Sequence, residues 1–201
     1  VDPDLSCFGK ALANGFSLSA LAGQREIMRL GGLHHYDRPR VFLLSTTHGA
    51  ETHALAAGIA TMETYEREPV IQHLYRQGRL LREGIEAAIR EAGVEGYFKV
   101  TGPDCFLPYA ALAQAWQPSQ AFRSLFPQET TRRGVLAPSL VVSYAHGSLE
   151  IEHTLKAVRE ALNIYARALE GGVERYLVGR PSQIVYRRFN QEVPEARMAR
   201  G

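Results

Sequence analysis

The stretch VDPDLSCFGKALANGFSLSALAG, residues 1–23, decides how the rest of the sequence is interpreted. Short apolar runs alternate in it with small residues. This pattern predicts two short strands, near Leu5–Phe8 and Ser17–Leu21, with a turn at Asn14-Gly15 between them. A lysine, Lys10, comes directly after the first predicted strand. The function of the protein depends on whether this lysine is an ordinary surface charge or part of a reactive site.

Lys10 has three interpretations. A phosphate-binding loop of the form Gly-x-x-x-x-Gly-Lys-Ser/Thr is excluded, because Asp4 stands at its first glycine and Ala11 at its hydroxyl position. An exposed charge and an amine that forms an imine with a carbonyl group both remain open. An amine that attacks a carbonyl must be neutral, and apolar neighbours such as Leu5 and Phe8 favour the neutral form.

The composition predicts a globular protein with neither a nucleic-acid nor a membrane partner. The 201 residues carry a net charge of +2, and the basic residues are spread along the chain, so charge gives no argument for nucleic-acid binding. No apolar stretch approaches the roughly 20 residues that span a bilayer. The two cysteines, Cys7 and Cys105, are too few for a disulfide framework, which favours a reducing, cytoplasmic location.

A metal site is not predicted. The segment His-Gly-Ala-Glu-Thr-His contains His48, Glu51 and His53, and it resembles two zinc-binding motifs without matching the spacing of either. The two histidines are five residues apart, so on a helix their side chains would point in different directions.

The remaining pattern predicts a first unit that continues to about residue 66 and a second, α+β unit. Helical periodicity and alanine content predict five helices, over 24–30, 51–65, 70–92, 120–126 and 148–169. Extended segments are predicted at 41–44, 97–101, 106–113 and 140–144. Gly93 is predicted to end the third helix, and Ser148 to be the N-cap of the last one.

Several blocks, in the same order, resemble the class III aminotransferases. The run Pro3-Asp4-Leu5-x-x-x-Gly9-Lys10-Ala11-Leu12, with Gly15-Phe16, Ser19-Ala20 and Gly23 after it, resembles the family segment whose lysine binds pyridoxal phosphate. The other blocks are Ser45–Gly49 with Ala54–Ala57, Arg133–Ser139 with Ser143–His146, and Ile151–Leu155. The resemblance covers about residues 1–170 and is closest to the glutamate-1-semialdehyde 2,1-aminomutase group.

The resemblance implies an α/β protein of fold type I, the aspartate-aminotransferase-like fold of pyridoxal-phosphate transferases. Residues 1–66 would be the C-terminal part of the large cofactor-binding domain, 67–92 a connecting helix, and 93–201 the small α+β domain. The resemblance also implies a homodimer with shared active sites.

For the site, the resemblance implies that Lys10 forms a Schiff base with pyridoxal 5'-phosphate and moves protons during amino-group transfer. Thr47 aligns with the threonine that hydrogen-bonds the cofactor phosphate across the dimer interface, and Thr46 would take its place if the alignment shifted by one residue. The alternative for both threonines is a capping role at the start of the helix that follows.

Some expected parts of the family site have no counterpart in this sequence. The phosphate-binding turn, the residue that stacks on the cofactor ring and the aspartate that pairs with the pyridine nitrogen belong to family segments that precede Val1. We therefore expect this chain to bind the cofactor poorly by itself.

The substrate is also open. Glu51-Thr52 replaces the usual Asn-Pro after the threonine loop, and Leu140–Val142 replaces a segment with a glutamate. The expected function is an aminomutase-like transfer of an amino group. The alternatives are a class III aminotransferase for another aldehyde or keto substrate, a sugar-derived one included, and a truncated non-catalytic remnant.

Overall fold

The structure is a computed structural model of the chain. It describes residues 2–31 and 51–183, together with residues 37, 39 and 49. The chain divides into two units, residues 1–71 and 72–201. The domain boundaries predicted at residues 66 and 92 stay a prediction. The extended segment predicted at 41–44 lies outside the described residues.

The first unit begins with a two-stranded antiparallel ribbon. Strand β1, Leu5–Phe8, is found where it was predicted. Strand β2, Ala20–Gly23, begins three residues later than predicted, because the pairing register sets Leu5 opposite Gly23. A Cβ atom at residue 23 would collide with the carbonyl oxygen of Asp4, so only glycine fits this end of the ribbon.

Two helices follow in the first unit. Helix α1 spans only Arg25–Met28 and continues as a 3-10 turn, Arg29–Gly31, whereas a single helix over 24–30 was predicted. Helix α2 spans Thr52–Arg67. Its small face is buried at Ala54 and Gly58, as the alanine-rich sequence predicted, so the helix backbone can approach its neighbours closely.

Helix α3, Val70–Glu91, supplies one wall of the core of the second unit. Its apolar stripe is buried at Leu81, Ile85 and Ile89. Gly93 follows the helix with φ +65°, in the left-handed region where glycine carries no steric cost, which confirms the predicted end of the helix.

The strands of the second unit are shorter than predicted. Strand β3, Phe98–Val100, pairs antiparallel with β5, Tyr109–Ala111, while β4, Phe106–Leu107, pairs with β6, Leu140–Val141. The predicted strand 106–113 is therefore divided between two sheets. Pro108 lies at the division and has no N–H to donate to a sheet, and its carbonyl oxygen accepts from the N–H of Thr101 at 3.0 Å.

Two helices complete the second unit. Helix α4, Gln120–Thr131, is longer than predicted and is capped by the hydroxyl of Ser119. Helix α5 spans Ser148–Gly171, and the prediction of Ser148 as its N-cap was wrong, because Gly147 holds that position. The N–H of Gly147 donates to the Glu150 carboxylate at 2.8 Å, and this bond lowers the pKa of Glu150.

An aromatic cluster lies at the centre of the second unit. The centre of the Phe98 ring lies 4.6 Å from the centre of the Phe126 ring, 5.2 Å from that of Tyr109 and 5.8 Å from that of Tyr165. The hydroxyl of Tyr165 donates to the carbonyl oxygen of Leu112 at 2.7 Å. Burial raises the pKa of Tyr165, so this hydroxyl keeps its proton and remains a donor. The cluster joins β3, β5, α4 and α5 into one core.

A buried carboxylate connects α4 to α5. The side chain of Glu129 accepts from Gln128 at 2.8 Å, from Arg132 at 2.7 Å and from Arg133 at 2.8 Å. Arg133 also donates to Glu160 on α5 at 2.6 Å. Burial alone would raise the pKa of Glu129, but the hydrogen bonds from Gln128 and Arg133 and the charges of both arginines outweigh it. The net effect is a pKa below its ordinary value of 4.5.

We expect Glu129→Gln to destabilise the second unit by about 2 kcal/mol at pH 7, because the arginines lose a charged acceptor in a buried position. A carboxylate with a lowered folded-state pKa stabilises the fold fully above its unfolded-state pKa and loses that effect as the pH falls through the folded-state value. The difference between wild type and variant in urea denaturation should therefore shrink below about pH 4.5. A constant difference from pH 7 to pH 3 would contradict this assignment.

Within the described residues, none of the helices combines the length and the apolar character that a membrane crossing requires.

Candidate active site

Lys10 begins a 3-10 turn, Lys10–Leu12, directly beyond β1. Its φ is +50°, in the left-handed region that side-chain-bearing residues adopt at a cost of about 1 kcal/mol or more. The turn is closed by the N–H of Leu12, which donates to the carbonyl oxygen of Gly9 at 3.1 Å. Nothing in the sequence signals this conformation, so residue patterns did not predict it. Strained backbone of this kind is concentrated at functional sites.

The turn is held in place by close packing with α2. Ala13, at the end of the turn, and Ala54, on the helix, are both buried. A Cβ atom at Gly58 would meet the side chain of Leu18 at 2.7 Å, so the glycine is what allows α2 to approach the connection between β1 and β2. The predicted turn at Asn14-Gly15 is confirmed, since both residues have positive φ.

The side chain of Lys10 is exposed, and among the described residues it has neither a hydrogen-bond nor an ion-pair partner. The carboxylate of Asp4, before the opposite end of β1, accepts from Gln24 at 2.7 Å. The expected apolar surroundings are not supplied by the described residues, because Leu5 and Phe8 are themselves 44% and 52% exposed. Lys10 therefore presents an amine that no carboxylate of the described residues binds.

The two predicted phosphate ligands, Thr46 and Thr47, lie outside the described residues, as does His48. Their predicted roles stay predictions. Of the histidine segment, the structure shows His53 with its Nε2 atom 3.4 Å from the carboxylate of Glu51.

The second unit contains a cavity of about 260 Å³. The sequence blocks that resemble the class III aminotransferases form its lining. It is bounded by residues from 134–141, by His146 and by the first turns of α5, where Glu150 and His153 lie. The structure therefore brings together two blocks that are separate in the sequence, 133–139 and 143–146.

Comparison with known proteins agrees with the resemblance. Residues 1–98 match the family model of aminotransferase class-III. Over 166 residues the chain is 30% identical to a 3-aminobutyryl-CoA aminotransferase of Cloacimonas acidaminovorans, covering 81% of this chain and 38% of that protein. Over 171 residues it is 32% identical to a glutamate-1-semialdehyde 2,1-aminomutase of Pelotomaculum thermopropionicum, covering 80% of this chain and 38% of that protein.

Solved structures show the same relationship. The PLP internal aldimine form of the FumI protein of Sphingopyxis sp. MTA144 superposes with a TM-score of 0.70 at 27% identity, covering 85% of this chain and 39% of that one. An omega-transaminase from Sphaerobacter thermophilus superposes with a TM-score of 0.68 at 27% identity, covering 82% of this chain and 39% of that one. The chain thus spans about two fifths of the length of the relatives that it matches.

These matches confirm the predicted fold class, because the neighbours are transaminases of fold type I. Residues 1–98 belong to the class-III aminotransferase family, and the chain has part of the α/β fold of the pyridoxal-phosphate-dependent transaminases.

Proposed function

We propose that this chain is part of an enzyme that transfers amino groups with pyridoxal 5'-phosphate, and that Lys10 is the residue that binds the cofactor covalently. The observation that carries the proposal is the placement of Lys10. It lies within the matched residues 1–98, on a strained turn beyond a strand, with an amine that no described carboxylate occupies. A lysine in this state can condense with an aldehyde.

When bound, the cofactor supplies the aldehyde and the electron-withdrawing ring on which amino-group transfer depends. The chain supplies the amine. In the proposed role the Nζ atom of Lys10 holds the cofactor until an amino substrate replaces it, and then takes a proton from the substrate carbon and returns it during transfer. The β1–β2 ribbon and α2 fix the backbone from which Nζ reaches the substrate.

We further propose that Thr47, or Thr46 if the alignment shifts, donates a hydrogen bond to the cofactor phosphate in a homodimer. The support is the order of the resembling blocks. A cytoplasmic location is proposed from the two cysteines, which are both free thiols.

The proposed reaction is aminomutase-like, and an aminotransferase with a separate keto acid is the second candidate, because relatives of both kinds match the chain at about 30% identity. Glutamate 1-semialdehyde alone, followed by addition of a keto acid, separates them. Turnover that requires the keto acid would reject the aminomutase assignment.

Reduction with borohydride in the presence of the cofactor tests the central proposal. The chain contains three lysines, Lys10, Lys99 and Lys156, and we expect peptide mass mapping to find the reduced cofactor on Lys10 alone. The protein that carries this sequence is used beside the isolated 201-residue chain. Label on either of the other lysines, or no label on the protein that carries this sequence, would contradict the proposal.

A further inference from the structure

A second candidate binding site lies in the second unit, along α4. Here the structure forms a groove of about 860 Å³, which is within the size range of small-molecule sites. One wall is α4 and the other is residues 176–182, the segment that follows α5, which we name the C-terminal strap. The groove involves none of the residues assigned to the amino-transfer site.

The C-terminal strap is fastened to α4 by side-chain hydrogen bonds. The amide of Gln128 donates to the carbonyl oxygen of Tyr176 at 2.9 Å and accepts from the N–H of Val178 at 2.8 Å. The N–H of Ser182 donates to the hydroxyl of Ser124 at 2.8 Å. Because both ends of the strap are held, the groove has two defined walls.

The groove is cationic. Three arginines line it, Arg123, Arg132 and Arg180, and none of its described lining residues is acidic. The guanidinium of Arg123 lies 5.3 Å from the centre of the Tyr109 ring and donates to the carbonyl oxygen of Tyr109 at 3.2 Å, so its position is fixed. Arg132 shares its charge with Glu129. The described residues provide no hydrogen-bond or ion-pair partner for Arg180.

Apolar surface lies between these charges. Pro127, Pro138, Leu177 and Val178 all line the groove, and Val178 is 70% exposed. A ligand that satisfies both features carries an anionic head and an apolar arm. Among the described residues, Arg123 and Arg180 have no carboxylate partner, so two charges are available to a ligand, more than a single carboxylate neutralises, which favours a phosphate head.

We propose that this groove binds an organic phosphate ester, with the phosphate at the arginines and the organic part against the proline and aliphatic side chains. The chain's own C-terminal residues, 184–201, are a poor occupant, because they carry four arginines against two glutamates and would repel the groove. The proposal does not depend on the proposed amino transfer.

Isothermal titration calorimetry at low ionic strength with the protein that carries this sequence tests the ligand class. The probes are hexyl phosphate, which has both parts, inorganic phosphate, which is the head alone, and hexanoate, which replaces the phosphate by a carboxylate. We expect hexyl phosphate to bind about tenfold more tightly than either of the others, because only it combines apolar burial with the doubly charged head. Equal affinity for inorganic phosphate or for hexanoate would overturn the proposal.

Two pairs of variants test whether hexyl phosphate binds in this groove. Val178→Glu introduces a carboxylate on the exposed wall and should weaken hexyl phosphate binding at least about threefold, whereas Val178→Gln, of the same size and uncharged, should not. Arg180→Gln should weaken it about tenfold, and the exposed arginine outside the groove, Arg167→Gln, should leave it unchanged. A thermal melt of each variant checks folding. Equal losses within either pair, or no loss with Val178→Glu and Arg180→Gln, would overturn the proposal.

Discussion

Replacing Lys10 by alanine is expected to lower the rate of amino-group transfer about 10⁴-fold in the protein that carries this sequence. The variant loses the covalent attachment of the cofactor and the group that moves the proton, and positioned acid–base groups contribute up to about that factor. The measurement is the steady-state rate with a saturating amino donor, accompanied by the absorption spectrum of the cofactor.

The loss of activity in Lys10→Ala should not be caused by a loss of folding. Alanine keeps the Cβ atom, so the left-handed backbone at residue 10 costs the same in both proteins, and the Lys10 side chain is exposed without a described partner that could be lost. Melting temperatures of the two proteins should therefore agree within a few degrees.

The matched control is Lys99→Ala, which removes an exposed lysine from β3. It should keep the rate within about twofold, since surface substitutions rarely matter. A small primary amine in the buffer should restore part of the activity to the alanine variant but none to Lys10→Arg, because the bulky guanidinium fills the space. A loss of less than tenfold in Lys10→Ala would contradict the assigned role.

Sequence patterns predicted elements whose determinants are local. Strand β1 and the end of α3 at Gly93 were predicted correctly, because alternation and a glycine after an amphipathic stripe act within a few residues. The capping of α5 was misassigned by one residue. Gly147 has no side chain that could signal a cap. The hydrogen bond that fixes this end of the helix is accepted by the carboxylate of Glu150, three residues later.

Features that depend on distant partners were not predictable in this way. The register of β2 depends on the contact between Gly23 and Asp4, and the division of the strand at Pro108 depends on which neighbours its two halves pair with. The same holds for the candidate sites. Lys10 was distinguished by the resemblance rather than by its own neighbours, and Arg180 lines the same groove as Arg123 and Arg132 only because the C-terminal strap lies along α4.

Phe98→Ala is expected to produce the largest loss of stability among the variants considered, about 4 kcal/mol in the free energy of unfolding of the second unit. Phe98 is only 1% exposed and contacts the rings of Tyr109, Phe126 and Tyr165, which come from three different elements. Its removal leaves a cavity that these rings cannot fill without giving up their own packing, and the aromatic pairs add to the loss.

Trp116 allows the measurement to follow the second unit specifically, because it is the single tryptophan of the chain and its ring stacks on that of Tyr97. The melting temperature followed by its fluorescence should fall by roughly 15 °C in Phe98→Ala. The control is Phe106→Ala, which removes the same side chain from a position that is 44% exposed and should cost less than about 1.5 kcal/mol. Similar losses at the two positions would show that the cluster around Phe98 is not the centre of this core.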